Sequence, residues 1–423
     1  MKKHYLSNFD ETYYTDTLNN GLNVIIFHKP EYNTSVCSFG TPYGALKINQ
    51  KCGNKKYNFN PGIAHFLEHK LFEAQGDDIM NAFTSLGANV NAFTSYRETV
   101  YYFSKTGSDI EEPLNLLLDF VQELNITDKS VKKEKGIINQ ELSMYQQIPD
   151  QRLLNEAYKC LYYNFPLKYD IGGDKKTVDA ITKKELELCY SINYHPSNMV
   201  LCICSPLDPK ELIKIIKNNQ NKKKFKSSSK PTPNNSVEPE VVVRKKFKFD
   251  MPINADKHLM AYKIKPEFSS MKDAIKQEWA LRILLESYFS SLNPDYQKWL
   301  DENIINDYFG YEVDFNMDCA NMFIFIENND SKVLPNLINE TIKKDIIDED
   351  MLEQLKRRYI GSLYSAFNDV ETFNQGYIRD YLSGIDFNDS YDILNNLTLD
   401  DVKKAKQYLD CPHTCYISML KKK

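Results

Sequence analysis

Two stretches of the chain, half its length apart, are built to one plan. Thr182-Lys183-Lys184-Glu185 opens a helix with a threonine cap and a glutamate three residues on; the helix ends near Tyr194, and His195-Pro196 leads into a strand from Met199 to Cys204. Thr398-Leu399-Asp400-Asp401 opens another such helix, and Cys411-Pro412-His413 leads into a strand from Thr414 to Met419. Between them, residues 219–240 lose hydrophobic periodicity and are rich in Lys, Ser, Asn and Pro, which is linker chemistry. A chain of 423 residues exceeds what a single core usually organises. The expectation is two similar, duplicated α+β lobes, each an antiparallel-rich sheet covered by helices: residues 1–218, a linker over 219–240, and residues 241–423. The basic run in the linker reads as a solvated tether rather than a binding patch.

Within the first lobe, Asn19-Asn20-Gly21 turns a hairpin whose return strand alternates Leu22, Val24 and Ile26. Pro61-Gly62 precedes a helix carrying Ile63, Phe66, Leu67 and Leu71, and a short helix runs to Gly87. Strands come next at 89–94 and 99–104, then helices at 112–124, 128–146, 153–163 and 182–194. In the second lobe the pattern predicts strands at 241–248, 257–264, 308–315 and 321–327. It also predicts helices at 271–290, 333–344, 350–369, 373–383 and 398–408.

Charge and cysteine usage exclude several classes. Lys plus Arg number 53 and Asp plus Glu 58, a net charge of −5, so no global field draws nucleic acid or an anionic membrane. The nine cysteines lack framework spacing, which points to a reducing compartment. The amino-terminal stretch lacks the apolar core of a signal peptide, and the first arginine is Arg97, unlike an Arg-rich transit peptide. Cytoplasmic location is the expectation.

One helix carries the chemistry. His65-Phe66-Leu67-Glu68-His69 is an inverted zinc motif, H-x-x-E-H. His65 and His69 are one turn apart, so both imidazoles reach one ion. Glu68 lies on the same face, close enough to hydrogen-bond an attacking water without ligating. Catalytic zinc takes three protein ligands, so a third is needed. The amphipathic helix containing Glu134 and Glu141 supplies it: the two carboxylates are two turns apart on one face, and either can ligate.

These residues resemble the zinc metallopeptidases of the pitrilysin, insulinase and mitochondrial processing peptidase family, as a half-length, bacterial-type member. The family pattern pairs H-x-x-E-H with a later helix bearing two glutamates seven apart. The resemblance implies His65, His69 and Glu141 as ligands to Zn²⁺, Glu68 as the base and Glu134 as a supporting carboxylate. Asn91, Ala92, Phe93 and Thr94 are similar to the family's substrate-pairing strand, and Tyr194-His195-Pro196-Ser197-Asn198-Met199 to the junction closing its first domain. The resemblance further implies half of a clamshell peptidase, a zinc endopeptidase cutting unfolded peptides or short precursors. The alternative is a non-catalytic scaffold subunit that kept the fold. The intact set of His65, Glu68, His69 and Glu141 weighs against that alternative.

One departure bears on partners. Active relatives present an Arg and, seven residues on, a Tyr from the second domain; here no Arg occurs between Arg282 and Arg357, and only Tyr308 or Tyr311 is available. The resemblance therefore implies a zinc-free homologous partner chain in a heterodimer, or failing that a homodimer, supplying the missing pair.

Overall fold

The structure, a computed structural model, describes residues 1–74, 77–226 and 229–422, and of residues 74, 77, 78 and 387 only the backbone. Ser227 and Ser228 of the expected linker lie outside the described residues. The fold is α+β and divides into two units.

In the first unit a seven-stranded sheet runs in the order Lys2–Leu6, Glu11–Thr17, Asn23–His28, Val200–Ser205, Thr34–Thr41, Thr99–Thr106, Asn89–Thr94. Asn23–His28 and Val200–Ser205 are parallel; every other pairing is antiparallel. Successive residues Val24, Ile25, Ile26 and Phe27 are all buried, and so are all six residues of Val200–Ser205. A strand buried on both pleat faces needs a layer on each. One layer is the helices Ile63–Leu71, Glu111–Val121 and Pro209–Gln220, packed over the larger apolar core. The other is Val370–Ser383, whose Leu382 and Ile378 lie so close to Gly40 that a Cβ there would sit 2.9 and 3.0 Å from their methyls. Asn374 of that helix is fully buried and donates to the Val36 and Cys202 carbonyls, so its amide does not stand unpaired in the core.

In the second unit a five-stranded sheet runs Lys246–Met251, Thr414–Lys421, Lys257–Ile264, Ala320–Glu327, Gly310–Phe315. Again one parallel pair, formed by the first and last strands, precedes three antiparallel pairings. The five central-to-edge strands of the first sheet repeat this order and these directions, which is the duplication expected from the matched ends. Helix Pro149–Leu161 packs on strands Thr414–Lys421 and Lys257–Ile264, with Tyr158 edge-on to Phe323 at 5.4 Å.

Chain continuity and unit membership differ. Residues 145–168 belong to the second unit and residues 364–388 to the first, so neither unit is the uninterrupted stretch expected from sequence. The reason is the doubly buried sheet: each takes one covering helix from the other half of the chain. The expected linker is also shorter. Helix Pro209–Gln220 runs into it, with Asn219 and Gln220 buried and bonded to Asp119 and Gln122. Thr232–Pro233 pairs with strand Asn49–Cys52 in the first unit.

In the second unit, Glu238 accepts from the backbone N–H groups of Tyr163, Asn164 and Phe165 and pairs with buried Lys263, so the strand expected from 241 begins only at Lys246. Burial pushes the Glu238 carboxyl up, but Lys263 and the three N–H donors hold it below its ordinary 4.5; burial outweighs the same pairing on Lys263, whose ammonium is also lowered. A depressed carboxylate contributes stability above 4.5 and loses it as pH falls through its folded value. Wild type is therefore expected to melt higher than Glu238→Gln at pH 7, with the gap closing below pH 4.5. A gap constant down to pH 3, measured by differential scanning calorimetry, contradicts this.

Candidate metal centre

Helix Ile63–Leu71 begins at Gly62, whose φ of 92° lies in the left-handed region open to glycine. A Cβ on Gly62 would sit 2.3 Å from the Gly172 carbonyl oxygen, and one on Gly173, at φ 79°, 2.5 Å from that of Pro61. This glycine contact lets the loop 169–173 close on the helix start, and it brings Gly172 beside His65. Buried Ile63, Phe66 and Leu67 anchor one side of the helix and leave His65, Glu68 and His69 half-buried on the other. Helix Asp128–Tyr145 seats Val131, Ile138 and Leu142 in the same core, which turns Glu134 and Glu141 to meet them.

Spacing alone leaves the third donor open between two glutamates, the resemblance implies Glu141, and the two differ in geometry. Glu141 Oε1 is 3.7 Å from His65 Nε2 and its Oε2 is 3.4 Å from His69 Nε2. Glu134 Oε1 instead takes a 3.0 Å hydrogen bond from His69 Nδ1 and is buried, with Lys70 Nζ 3.8 Å from its other oxygen. With its Nδ1–H donated to the Glu134 carboxylate, neutral His69 presents the Nε2 lone pair, a tautomer that follows from the acceptor at Nδ1.

Burial and the neighbouring charges shift His65, Glu68, His69 and Glu134. Burial and the neighbouring His69 lower His65 to about 3, keeping its imidazole neutral and able to donate a lone pair. Burial pushes the Glu134 carboxyl up, but His69, Lys70 and Lys133 pull it below the usual carboxylate range. His69 is raised: burial lowers it, and the bond to Glu134 with the charges of Glu68 and Glu141 more than offsets that. Burial raises Glu68, opposed by a hydrogen bond from Thr94 and by His69.

A tetrahedral ion bound at about 2.0–2.1 Å spaces its donors about 3.3 Å apart. One donor atom each from His65, His69 and Glu141 lies within 4.8 Å of the others, so the set fits such an ion with small adjustment. No other such cluster of His, Cys, Asp or Glu occurs among the described residues.

Asn91, Ala92, Phe93 and Thr94 lie on the sheet's edge strand, paired on one side with Thr99–Thr106 and on the other with no strand among the described residues. The Ala92 N–H is taken by the Asn91 side chain at 2.9 Å. Val90 and Ala92 turn toward the core, Thr94 reaches the zinc-motif helix, and Phe93 points to the opposite face, where Arg379 stacks on it at 4.4 Å. In the second unit, Tyr308 donates to Asp150 at 2.9 Å and Tyr311 to Glu286 at 2.6 Å. Lys257, which sequence reasoning did not single out, lies 3.5 Å from the centre of the Tyr308 ring and also pairs with Asp150. Spacing along the chain carries no signal for it, because Lys257 comes from a different strand.

Helix, strand edge and candidate metal-donor set come together on one α+β scaffold. The family models place it further: that of insulinase, peptidase family M16, matches residues 51–175, and that of the peptidase M16 inactive domain matches residues 180–344. The chain is 33% identical over 405 residues, 94% of each sequence, to the uncharacterized zinc protease YmfH of Bacillus subtilis. It superposes with TM-score 0.91 on an M16-like peptidase structure from Alicyclobacillus acidocaldarius, at 30% identity, covering 97% of this chain and 99% of that one. It is 26% identical over 205 residues to the mitochondrial-processing peptidase subunit beta of Saccharomyces cerevisiae, covering 47% of this chain and 42% of that one. The chain belongs to peptidase family M16.

Two glycine substitutions separate the backbone contact from helix propensity. Gly62→Ala meets carbonyl oxygen in a left-handed conformation, and it is expected to lower the melting temperature by several degrees and weaken metal retention against a chelator. Gly136→Ala, where a Cβ meets nothing within 4 Å on an exposed helix face, should stabilise by about 0.5–1 kcal/mol. Thermal melts showing equal effects of the two contradict this account of the helix start.

Proposed function

We propose that this chain is a zinc-dependent endopeptidase that hydrolyses peptide bonds of unfolded peptides or short precursors. The observation that carries the proposal is the convergence of His65 Nε2, His69 Nε2 and Glu141 from two helices, with Glu68 beside them. In this reading the first unit, expected over residues 1–218, is the catalytic lobe, and the second, expected over 241–423, is the lobe without metal. Naming of relatives as zinc proteases supports the choice of ion.

His65, His69 and Glu141 would hold Zn²⁺, and Glu134 would keep His69 turned toward it. Bound there, zinc supplies Lewis-acid polarisation of the scissile carbonyl and of water. Glu68 takes a proton from the attacking water as its oxygen bonds to the carbonyl carbon. It returns a proton to the amide nitrogen as the C–N bond breaks, leaving a carboxylic acid and an amine. The open edge of Asn89–Thr94 would hold an extended peptide by backbone pairing, displacing the Asn91 side chain from Ala92. Such pairing reads main chain more than side chains and favours unfolded substrates.

We also propose a second chain. Tyr308 and Tyr311 donate to carboxylates of their own unit, and no arginine lies between 282 and 357, so a zinc-free homologue, or a second copy, would supply the cation and phenol. The relative named as a processing-peptidase subunit supports paired chains. Nine cysteines present as free thiols support a reducing, cytoplasmic location. No helix among the described residues is long and apolar enough to cross a membrane.

Two variants test the hydrolase assignment. Glu68→Gln should retain about one zinc per chain and lose about 10²- to 10⁴-fold in kcat on an unstructured peptide library. Glu141→Gln should lose zinc as well, read by plasma mass spectrometry. Wild type that binds no zinc, or Glu68→Gln cutting at the wild-type rate, rules the assignment out. Full activity of the purified chain as a monomer on size-exclusion rules out the required partner.

A further inference from the structure

Thr94 Oγ donates a 2.6 Å hydrogen bond to Glu68 Oε2. The donor is the last residue of the open edge strand, and the acceptor is the carboxylate between the two imidazoles of the zinc motif. We propose that Thr94 is a positioning residue for Glu68: it locks one carboxylate oxygen so that the other faces the reacting water, and it couples that orientation to the strand that carries the substrate. The proposal rests on the hydrolase reading above and adds to it a residue that orients the proton acceptor.

Three observations carry it. First, the hydroxyl has one proton, and among the described contacts Glu68 is its acceptor. The neighbouring hydroxyl of Thr99, 3.5 Å away, spends its own proton on the Tyr43 carbonyl at 2.8 Å and does not compete. Second, the platform under Thr94 is fixed. Thr94 and Thr99 face each other across the hairpin, Ser95 N–H bonds to the Glu98 carbonyl at 2.8 Å, and Ala45 N–H bonds to the Ser95 carbonyl at 3.0 Å. Gly44 permits that approach, since a Cβ there would sit 2.6 Å from both Ser95 O and Arg97 N. The strand end therefore cannot shift relative to the hairpin turn and the 44–46 segment without breaking backbone bonds. Third, Glu68 is half-buried with no cation bonded to it, so Thr94 is the one side chain among the described residues that fixes its carboxylate by a hydrogen bond.

A glutamate side chain has three rotatable bonds, and a base must lie within hydrogen-bond reach of the proton it takes. Freed of Thr94, the carboxylate samples rotamers in which neither oxygen meets the water, and misplacement by about 1 Å is enough to cost about a hundredfold in rate. Because Thr94 closes the strand that pairs with peptide, a substrate seated along Asn91 to Phe93 also presses on the residue that aims the base.

The test uses the full-length, zinc-loaded chain with whatever partner wild type requires. Thr94→Val keeps the shape and removes the donor; Thr94→Ser keeps the donor. The expected result is a fall in kcat of about ten- to a hundredfold for Thr94→Val with KM within about twofold, and recovery to within about threefold of wild type for Thr94→Ser. Zinc retention against a chelator should match wild type in both. Fluorescence anisotropy with a labelled peptide should give the same Kd for Glu68→Gln and Glu68→Gln/Thr94→Val. Unchanged kcat in Thr94→Val overturns the proposal. So does a loss that appears in KM or in peptide Kd, which makes Thr94 a strand residue only, or a loss of zinc, which makes it a structural one. Wild type that cleaves no peptide defeats the hydrolase reading itself, a result distinct from any of these.

Discussion

The 3.0 Å hydrogen bond between His69 Nδ1 and Glu134 ties together the two helices that supply the donor set. It fixes the tautomer, turns Nε2 toward Glu141, and sets the distance between helix Ile63–Leu71 and helix Asp128–Tyr145 at the point where an ion would sit. A charge-assisted bond of this kind contributes about 1.5–3 kcal/mol, more than any exposed ion pair on the surface. It needs a carboxylate that is both buried and ionised, and His69, Lys70 and Lys133 together keep Glu134 in that form. The buried side of each helix is what makes the encounter reproducible: Phe66 and Leu67 from one, Ile138 and Leu142 from the other, enter a single core.

The sheet beneath explains why the open edge is where it is. Covering both faces of the strands Asn23–His28 and Val200–Ser205 takes a helix from residues 364–388, and the second unit's sheet takes one from residues 145–168. With both faces occupied, the first sheet offers unpaired backbone at its two edge strands, Lys2–Leu6 and Asn89–Thr94, and Asn89–Thr94 is the one beside the donor set. That edge ends at Thr94, whose hydroxyl donates to Glu68, so in the proposed reading the peptide-pairing strand and the base meet at one residue. A duplicated ancestral unit with an exchanged helix accounts for both sheets having the same order and the same single parallel pair.

The metal motif was legible because helix periodicity alone puts positions 65, 68 and 69 on one face and positions 134 and 141 on another. Spacing alone did not say which glutamate meets the imidazoles; that depends on how the two helices cross, which no local rule fixes. The helix exchange was invisible for the same reason: the periodicity of Val370–Ser383 announces a helix but not the sheet it covers. Strand Thr34–Thr41 gives no signal in sequence, because its Ser, Cys and Gly positions are buried small residues with no polar–apolar alternation. Linker chemistry extends over 219–223 in sequence because Asn, Gln and Lys look solvated there, although Asn219, Gln220 and the Lys223 ammonium bond inward. Thr94 reads in sequence as an ordinary strand threonine, and its carboxylate partner is twenty-six positions away.

X-ray absorption at the zinc edge, on the purified full-length chain and on Glu141→Gln, tests the central claim most directly. The expected wild-type spectrum has two imidazole nitrogens at about 2.0–2.1 Å and light oxygen scatterers completing four ligands, with loss of metal or of one oxygen in the variant. A first shell containing sulfur, a single imidazole, or a spectrum unchanged by removal of the Glu141 carboxylate would contradict it.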